Sequence, residues 1–184
     1  MTAAAATPPT RDALPGIADI EDAADTLRPV AVRTPLLESP MLNEALGARI
    51  LFKAESLQRT GSFKFRGAYT AIARLEAEQR RRGVVAFSSG NHAQGVAAAA
   101  RLFGIPAAIV MPTTAPQLKL DNTRAHGAEV VLYDPATEDR DAIGERLRDE
   151  RGLALIRPFD AFDVICGQGT TGLEIAEQAS ARGT

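Results

Sequence analysis

The chain has 184 residues, enough for one ordinary domain or two small lobes with a sizeable core. Its net charge of -2 excludes the strongly basic surface typical of proteins that bind nucleic acids or anionic membranes. Its apolar runs are too short to cross a bilayer, and a single cysteine, Cys166, excludes an internal disulfide and fits a reducing compartment. Composition therefore predicts a cytoplasmic globular protein without a nucleic-acid or membrane partner.

The first part of the chain predicts a loose tail followed by short elements. Residues 1–10 are rich in Ala, Thr and Pro and lack the basic start and apolar stretch of a signal peptide, so we expect a tail there. Apolar residues then recur at helical spacing from Gly16 to Leu27. The next predicted elements are a strand at 35–38, a helix at 41–46 and a strand at 49–54.

From residue 63 onward, helices alternate with short apolar strands. The predicted helices are 63–81, 91–103, 116–126, 138–151 and 169–181, and the predicted strands are 84–87, 106–111, 129–133 and 153–156. This alternation indicates an α/β fold in which a parallel sheet of βα units is flanked by helices. In such sheets, ligands bind at the carboxyl ends of strands, in the loops that open helices.

Lys64 lies between Phe63 and Phe65, where the predicted strand at 49–54 gives way to a helix. A lysine held against apolar rings loses hydration, which lowers its pKa and leaves some free amine near neutral pH. Such an amine can form a Schiff base with an aldehyde. The alternative is a structural role, in which the aliphatic stem of Lys64 covers Phe63 at the entry to the helix.

A run of small polar residues, Ser88-Ser89-Gly90-Asn91-His92, follows the predicted strand at 84–87 and opens a helix. Such a run leaves backbone N–H groups free at a helix N-terminus, which predicts an anion site suited to a carboxylate. Gly90 also lets a ligand approach the backbone closely. The ordinary alternative for Asn91 is a helix N-cap, but a cap alone does not need two serines, a glycine and a histidine in a row.

Other polar motifs carry weaker signals. The run Gly167-Gln168-Gly169-Thr170-Thr171-Gly172 spells G-x-G-x-x-G, but it does not follow a clean strand, so it is weak evidence for a dinucleotide site. Cys166 is interpreted as a core residue rather than a nucleophile. His92 and His126, together with that cysteine, lack the spacing of zinc ligands, and no metal site is predicted.

Two stretches, Glu55–Lys64 and Ser88–Gly95, resemble the fold-type II pyridoxal-phosphate enzymes, in the threonine/serine dehydratase and serine racemase branch. The resemblance extends from about Thr34 to Glu174 and includes several motifs in the order of the family. It implies pyridoxal 5'-phosphate as the cofactor and Lys64 as the lysine that forms the Schiff base and removes the substrate Cα proton.

The resemblance also assigns the neighbours of the lysine. Phe63 and Asn91 match cofactor contacts, and the residues that match the carboxylate-binding loop are Ser88, Ser89, Gly90, Asn91 and His92. The glycine run at 167–172 matches a structural element that opens a helix of the large domain.

Two residues suggest a particular branch. Ser89 matches a serine of the racemase and hydroxyaspartate-dehydratase branch that faces Cα opposite the lysine and can return a proton there. Arg140 matches an arginine near the acidic end of the substrate, although its ordinary alternative is a surface residue paired with a neighbouring acid. Phe159 stands where animal serine racemases carry an asparagine, and this favours a dehydratase.

The resemblance further implies a division into two domains. Residues 11–51 begin a large domain, 52–154 form a small α/β domain, and 155–184 return to the large domain. In the family, a glycine-rich loop for the cofactor phosphate, a residue facing the pyridine nitrogen and the divalent-cation ligands all follow Glu174. We therefore expect the phosphate-binding loop to be absent from this chain.

The leading functional prediction is β-elimination from a hydroxy amino acid such as L-threonine or L-serine, giving a 2-oxo acid and ammonia. Serine racemase and threo-3-hydroxyaspartate ammonia-lyase remain open as alternatives. So does a catalytically incomplete fragment, or a module completed by another chain. The expected partner is a small amino-acid substrate, and a full-length form is expected to be a homo-oligomer.

Overall fold

The computed structural model describes residues 14–183, so the predicted tail at 1–10 lies outside the described residues. Eight α-helices are described within that range: α1 Ile17–Leu27, α2 Pro40–Leu46, α3 Lys64–Ala73, α4 Ala77–Arg82, α5 Asn91–Phe103, α6 Gln117–Ala125, α7 Arg140–Arg151 and α8 Phe162–Ser180. The strands of the same range are β1 Leu36–Glu38, β2 Leu51–Lys53, β3 Val84–Phe87, β4 Ala107–Pro112, β5 Glu129–Tyr133 and β6 Ala154–Leu155.

Four strands form a parallel sheet in the order β5-β4-β3-β6, which confirms the predicted α/β class. Alternate residues of β3 belong to two separate cores. Val84 and Ala86 pack with α3 and α5 on one face, and Val85 and Phe87 pack with α7 on the other. Burial of β3 on both faces explains why it is apolar throughout.

A second, two-stranded sheet lies outside this layer. Strands β1 and β2 pair antiparallel, with Leu37 opposite Phe52. The sequence predicted both strands but not their pairing with each other, because strand propensity alone does not specify a partner.

The predicted helix at 63–81 is wrong in one respect, because it is two helices, α3 and α4. The break follows Ala73, where the Arg74 guanidinium is held by Asp22 of α1 and Asp163 of α8. Arg80 then donates to the carbonyl oxygen of Ala73 at 2.9 Å and satisfies a terminal acceptor of α3. These long-range ion pairs were not visible in the local pattern.

The predicted final helix at 169–181 actually begins at Phe162, so the glycine run at 167–172 lies inside α8 and does not open it. The reason is close packing between α8 and α3. A Cβ on Gly167 would lie 2.5 Å from the carbonyl oxygen of Arg66, and a Cβ on Gly67 would lie 2.9 Å from that of Val164. These two glycines let the backbones of the helices approach closely, and that packing outweighs the low helix propensity of glycine.

Smaller differences concern the ends of elements. Helix α7 begins at Arg140 because Asp139 is its N-cap and accepts from the backbone nitrogens of Asp141 and Ala142.

Cys166 is fully buried, as predicted for a core residue. Within residues 14–183, none of the helices combines the length and apolar content that a membrane crossing requires.

Candidate active site

Lys64 is the first residue of α3 and follows two short 3-10 turns that separate it from β2. Its Nζ donates a hydrogen bond of 2.7 Å to the carbonyl oxygen of Pro158 and lies 5.2 Å from the centroid of the Phe63 ring. Among residues 14–183 no carboxylate pairs with it. Burial lowers the pKa of Lys64, since desolvation disfavours the ammonium and no nearby anion restores it.

Close packing against α5 fixes the start of α3. A Cβ on Gly95 would lie 3.1 Å from the carbonyl carbon of Lys64 and 3.1 Å from the nitrogen of Phe65. The Phe65 side chain is fully buried in the core, so it anchors the turn from the other side of the lysine. The lysine backbone is therefore held between the core and the helix that carries the polar loop.

A buried ion network supports α3 two residues beyond the lysine. The Arg66 guanidinium, 1 % exposed, pairs with Glu55 at 2.8 Å and with Glu174 at 2.7 Å. Lys53 also pairs with Glu174, at 2.5 Å, and its Nζ donates to the carbonyl oxygen of Thr34 at 2.7 Å. Burial raises the pKa of Glu174, but hydrogen bonds from Arg66 and Lys53 outweigh burial and hold that pKa below its usual value. Sequence reasoning missed this network, because its partners are far apart along the chain.

The predicted anion loop lies at the carboxyl end of β3, as expected. Not every amide in it is free. The nitrogen of Ser88 donates to the carbonyl oxygen of Val110 at 3.0 Å, and that of Gly90 donates to Ser88 Oγ at 3.1 Å. Ser89 is exposed and makes no hydrogen bond to any residue from 14 to 183. Gly90 is the N-cap of α5, so the N-cap role considered for Asn91 is wrong, and Asn91 is exposed in the first turn.

His92 is the buried member of the loop, with 3 % of its surface exposed. Its Nε2 lies 3.0 Å from the carbonyl oxygen of Ile156, an acceptor, so Nε2 carries the proton and Nδ1 has no partner within residues 14–183. Burial, with a smaller contribution from the nearby Lys64 charge, lowers the pKa of His92 to about 4, although the hydrogen bond to Ile156 acts in the opposite direction. The imidazole is therefore neutral near pH 7.

The segment after β6 contacts both site elements. The Ile156 carbonyl accepts from His92 and the Pro158 carbonyl accepts from Lys64, so one segment spans the polar loop and the lysine. Asp160, in this segment, and Thr60, in the turn before the lysine, are the non-glycine residues with positive φ among residues 14–183, at 52° and 62°. Backbone strain of this kind clusters at functional sites and persists only where the surroundings enforce it.

A cavity of about 370 Å³ adjoins this segment. Its wall includes Pro158 and Phe159 together with Arg140, whose guanidinium carbon lies 5.5 Å from the centroid of the Phe87 ring. Charges of both signs line it, since Arg157, Asp141 and Asp160 also contribute. Among residues 14–183, Arg140 has one distant acid neighbour, Asp141 at 3.9 Å, so most of its guanidinium donors have no partner in that range.

The structure thus brings together Lys64, Phe63 and the loop from Ser88 to His92, with Arg140 beyond Phe87. The Phe63 side chain is 39 % exposed and lies beside the lysine amine. Three features suit an aldehyde cofactor with an aromatic ring: a lysine with a lowered pKa, an exposed ring beside it, and side chains on Ser89 and Asn91 that bond to nothing in the described part of the chain. The residues present therefore fit pyridoxal phosphate on its amine and ring sides.

Comparison with known proteins assigns the family. The model of the family described as "Pyridoxal-phosphate dependent enzyme" matches residues 27–182. L-threo-3-hydroxyaspartate ammonia-lyase of Saccharomyces cerevisiae is 50% identical over 165 residues, covering 90% of this chain and 51% of that protein. L-threonine ammonia-lyase of Thermotoga maritima is 51% identical over 159 residues, covering 86% of this chain and 40% of that protein.

Solved structures give the same picture. Maize serine racemase superposes with a TM-score of 0.86 at 41% identity, covering 89% of this chain and 50% of that one. The chain thus spans about half the length of the curated relatives it matches.

Proposed function

Because the chain belongs to the family of pyridoxal-phosphate dependent enzymes, we propose that it carries the lysine-bearing part of an ammonia-lyase active site. The proposed reaction is dehydration and deamination of a hydroxy amino acid such as L-threonine or L-serine. The observation that carries this proposal is Lys64, a half-buried amine that donates to one carbonyl and has no counter-ion among residues 14–183.

The proposed roles follow from the position of each group. Pyridoxal phosphate, when bound, supplies the electron withdrawal that makes the substrate Cα–H acidic. Lys64 would hold the cofactor through its amine and, as a free amine, would remove the substrate Cα proton as general base, a role that its lowered pKa favours. Phe63 and Asn91 would contact the cofactor ring, and residues 88–92 would orient the substrate carboxylate. Loss of the β-hydroxyl with a proton releases water, and addition of one water then yields the 2-oxo acid and ammonia.

A specific observation favours a second substrate class. Arg140 stacks on Phe87, directly before the loop, and lines the cavity next to Pro158. An arginine there suits a second carboxylate, so 3-hydroxyaspartate is the alternative substrate. Ser89, which is exposed and makes no hydrogen bond to the described residues, is the proposed proton donor opposite the lysine, as serine racemization would also require. The hydroxyaspartate ammonia-lyase of yeast is among the similar relatives.

The half-length match supports a further proposal about the chain on its own. We propose that it folds but has little or no activity alone, because the cofactor phosphate needs contacts that we assign to sequence outside residues 14–183. We propose a small domain at 52–154, with 11–51 and 155–184 belonging to a large domain. In a full-length form we propose a cytoplasmic homo-oligomer, in keeping with the buried free thiol of Cys166.

The proposal is tested by substrate assays with L-threonine, L-serine and L-threo-3-hydroxyaspartate, following 2-oxo acid, together with racemization of L-serine. The assays use the chain alone and the chain mixed with the C-terminal half of the Thermotoga maritima relative. We expect turnover only in the mixture, abolished by Lys64→Ala. Arg140→Gln should reduce turnover of hydroxyaspartate more than turnover of threonine. Turnover that survives Lys64→Ala would contradict the assignment.

A further inference from the structure

Lysine occurs three times in this chain, at positions 53, 64 and 119. Lys53 is committed to the buried ion network, and Lys64 is the proposed cofactor lysine. Lys119 lies on α6, outside both, and sequence reasoning gave it no role. Its Nζ lies 3.5 Å from the position that a Cβ on Gly90 would occupy, so the ammonium lies beside the polar loop.

The charge of Lys119 is not neutralised within residues 14–183, where it forms no ion pair and its Nζ makes no hydrogen bond. Helix α6 carries one acid, Asp121, and that carboxylate already accepts from Gln117 at 2.8 Å and from Arg124 at 3.5 Å. Residues two apart on a helix also point to different sides, so Asp121 does not face Lys119. The Lys119 ammonium is therefore available to bind an anionic ligand, as far as residues 14–183 are concerned.

The two cations near the loop approach it from opposite faces of the parallel sheet. Lys119 belongs to α6, which lies next to α5. Leu120 of α6 packs in the same core as Ala93 of α5. Arg140 belongs to α7, which packs on the other face with Phe87. The carboxyl end of β3 and the loop that follows it lie between them, with Lys119 at Gly90 and Arg140 at Phe87.

We propose that Lys119 is a substrate-binding residue, which pairs with the carboxylate held at residues 88–92, while Arg140 serves the second carboxylate of a dicarboxylic amino acid. A cation suits this place, because two of the loop amides are already bonded and the N-cap residue Gly90 offers no side chain to bind the anion. A charge-assisted bond from a lysine supplies what the bonded amides do not. This inference rests on the proposed function only in assuming that the loop accepts a carboxylate.

The test uses the cofactor-free chain of 184 residues and anions of one and two carboxylates. Amide resonances of Gly90 and Asn91 are followed during titration with sodium malonate or sodium acetate at constant ionic strength. Lys119→Gln should lower the affinity for both anions by about tenfold, which is the effect of losing one charge-assisted hydrogen bond. The affinities of Lys119→Arg should stay within about threefold of those of the wild type. Arg140→Gln should lower the affinity for malonate but leave the affinity for acetate unchanged.

Arg124→Gln is the matched control. It removes one positive charge from the same helix at an exposed position that pairs with Asp121, so it reports any general loss of attraction. It should leave both affinities unchanged. The inference is overturned if Lys119→Gln binds malonate as tightly as the wild type does. It is also overturned if Arg124→Gln lowers the affinity for malonate as much as Lys119→Gln does, or if the Gly90 resonance of the wild type does not shift during the titration. Since no cofactor is present, such a failure is separate from a failure of Lys64 to bond pyridoxal phosphate.

Discussion

The Nζ of Lys64 and the carbonyl oxygen of Pro158 lie 2.7 Å apart, although 94 positions separate the two residues along the chain. A carbonyl oxygen orients an ammonium without fixing its charge, whereas a carboxylate would stabilise the charged form and raise the pKa. The partner of Lys64 is thus compatible with an amine that loses its proton readily.

We predict that Lys64 titrates at a lower pH in the folded chain than in the chain unfolded in urea, because burial disfavours its ammonium. Competitive labelling with trace acetic anhydride over a series of pH values, read by mass spectrometry of the Lys64 peptide, gives both titration curves. The urea sample is the matched control, since it contains the same peptide without the fold. Identical curves, or a higher midpoint in the folded chain, would remove the physical basis for a reactive amine.

His92 makes stability depend on pH. Its pKa is lowered from 6.5 to about 4, so between these values the unfolded chain binds more protons than the folded chain. The free energy of unfolding should therefore rise with pH across this window, and His92 should contribute about 3 kcal/mol of that rise. Below pH 4 the contribution of His92 should no longer change with pH. Urea unfolding of wild type and His92→Gln measures the difference between the two slopes.

The control for this prediction is His126→Gln. Burial also lowers the pKa of His126, but that side chain is partly exposed, and its contribution to the slope should be smaller. Equal slopes for wild type and His92→Gln would show that the His92 imidazole is not held neutral by burial.

The glycine run inside α8 offers a matched pair of substitutions. Gly167→Ala places a Cβ 2.5 Å from a carbonyl oxygen of α3, and we expect it to lower the free energy of unfolding by about 1–3 kcal/mol. Gly172→Ala meets no described atom within 4 Å and should raise the free energy of unfolding by about 0.5–1 kcal/mol, because alanine favours the helix. Urea unfolding measures both. If Gly167→Ala were neutral, close packing would not explain why α8 continues through the run.

The Arg66 network should be far more costly to break than a surface pair. Arg66→Met leaves Glu55 and Glu174 without their main cation in a buried place and should lower the free energy of unfolding by about 3–5 kcal/mol. Arg33→Met removes an exposed pair with Glu177 one turn further along α8, and its cost should be below about 1 kcal/mol. Similar losses in urea unfolding would show that burial does not govern the strength of these pairs.

Local patterns sufficed for the features that depend on neighbouring residues. The loop from Ser88 to His92 follows an apolar strand and opens a helix, and the structure has it there. Lys64 was predicted at a helix entry for the same kind of reason, and it is the first residue of α3.

The features that sequence reasoning missed depend on contacts between distant segments. Nothing near Pro158 marks its carbonyl as the partner of Lys64, and nothing near Lys119 signals its approach to Gly90. The start of α8 was misplaced for a related reason. Gly167 and Gly67 are helix breakers by local propensity, and only the crossing of α3 and α8 explains their presence inside helices.

The most direct test of the central claim is to identify the lysine that bonds the cofactor. The chain of 184 residues is incubated with pyridoxal phosphate, reduced with borohydride, digested and analysed by mass spectrometry. The three lysines lie at well-separated positions, so an adduct on each can be distinguished. We expect a saturable adduct at Lys64 that is absent in Lys64→Ala, whereas Lys53 and Lys119 should be modified only weakly and in proportion to the reagent. Adduct shared equally among the lysines, or concentrated at Lys119, would contradict the assignment of Lys64 as the cofactor lysine.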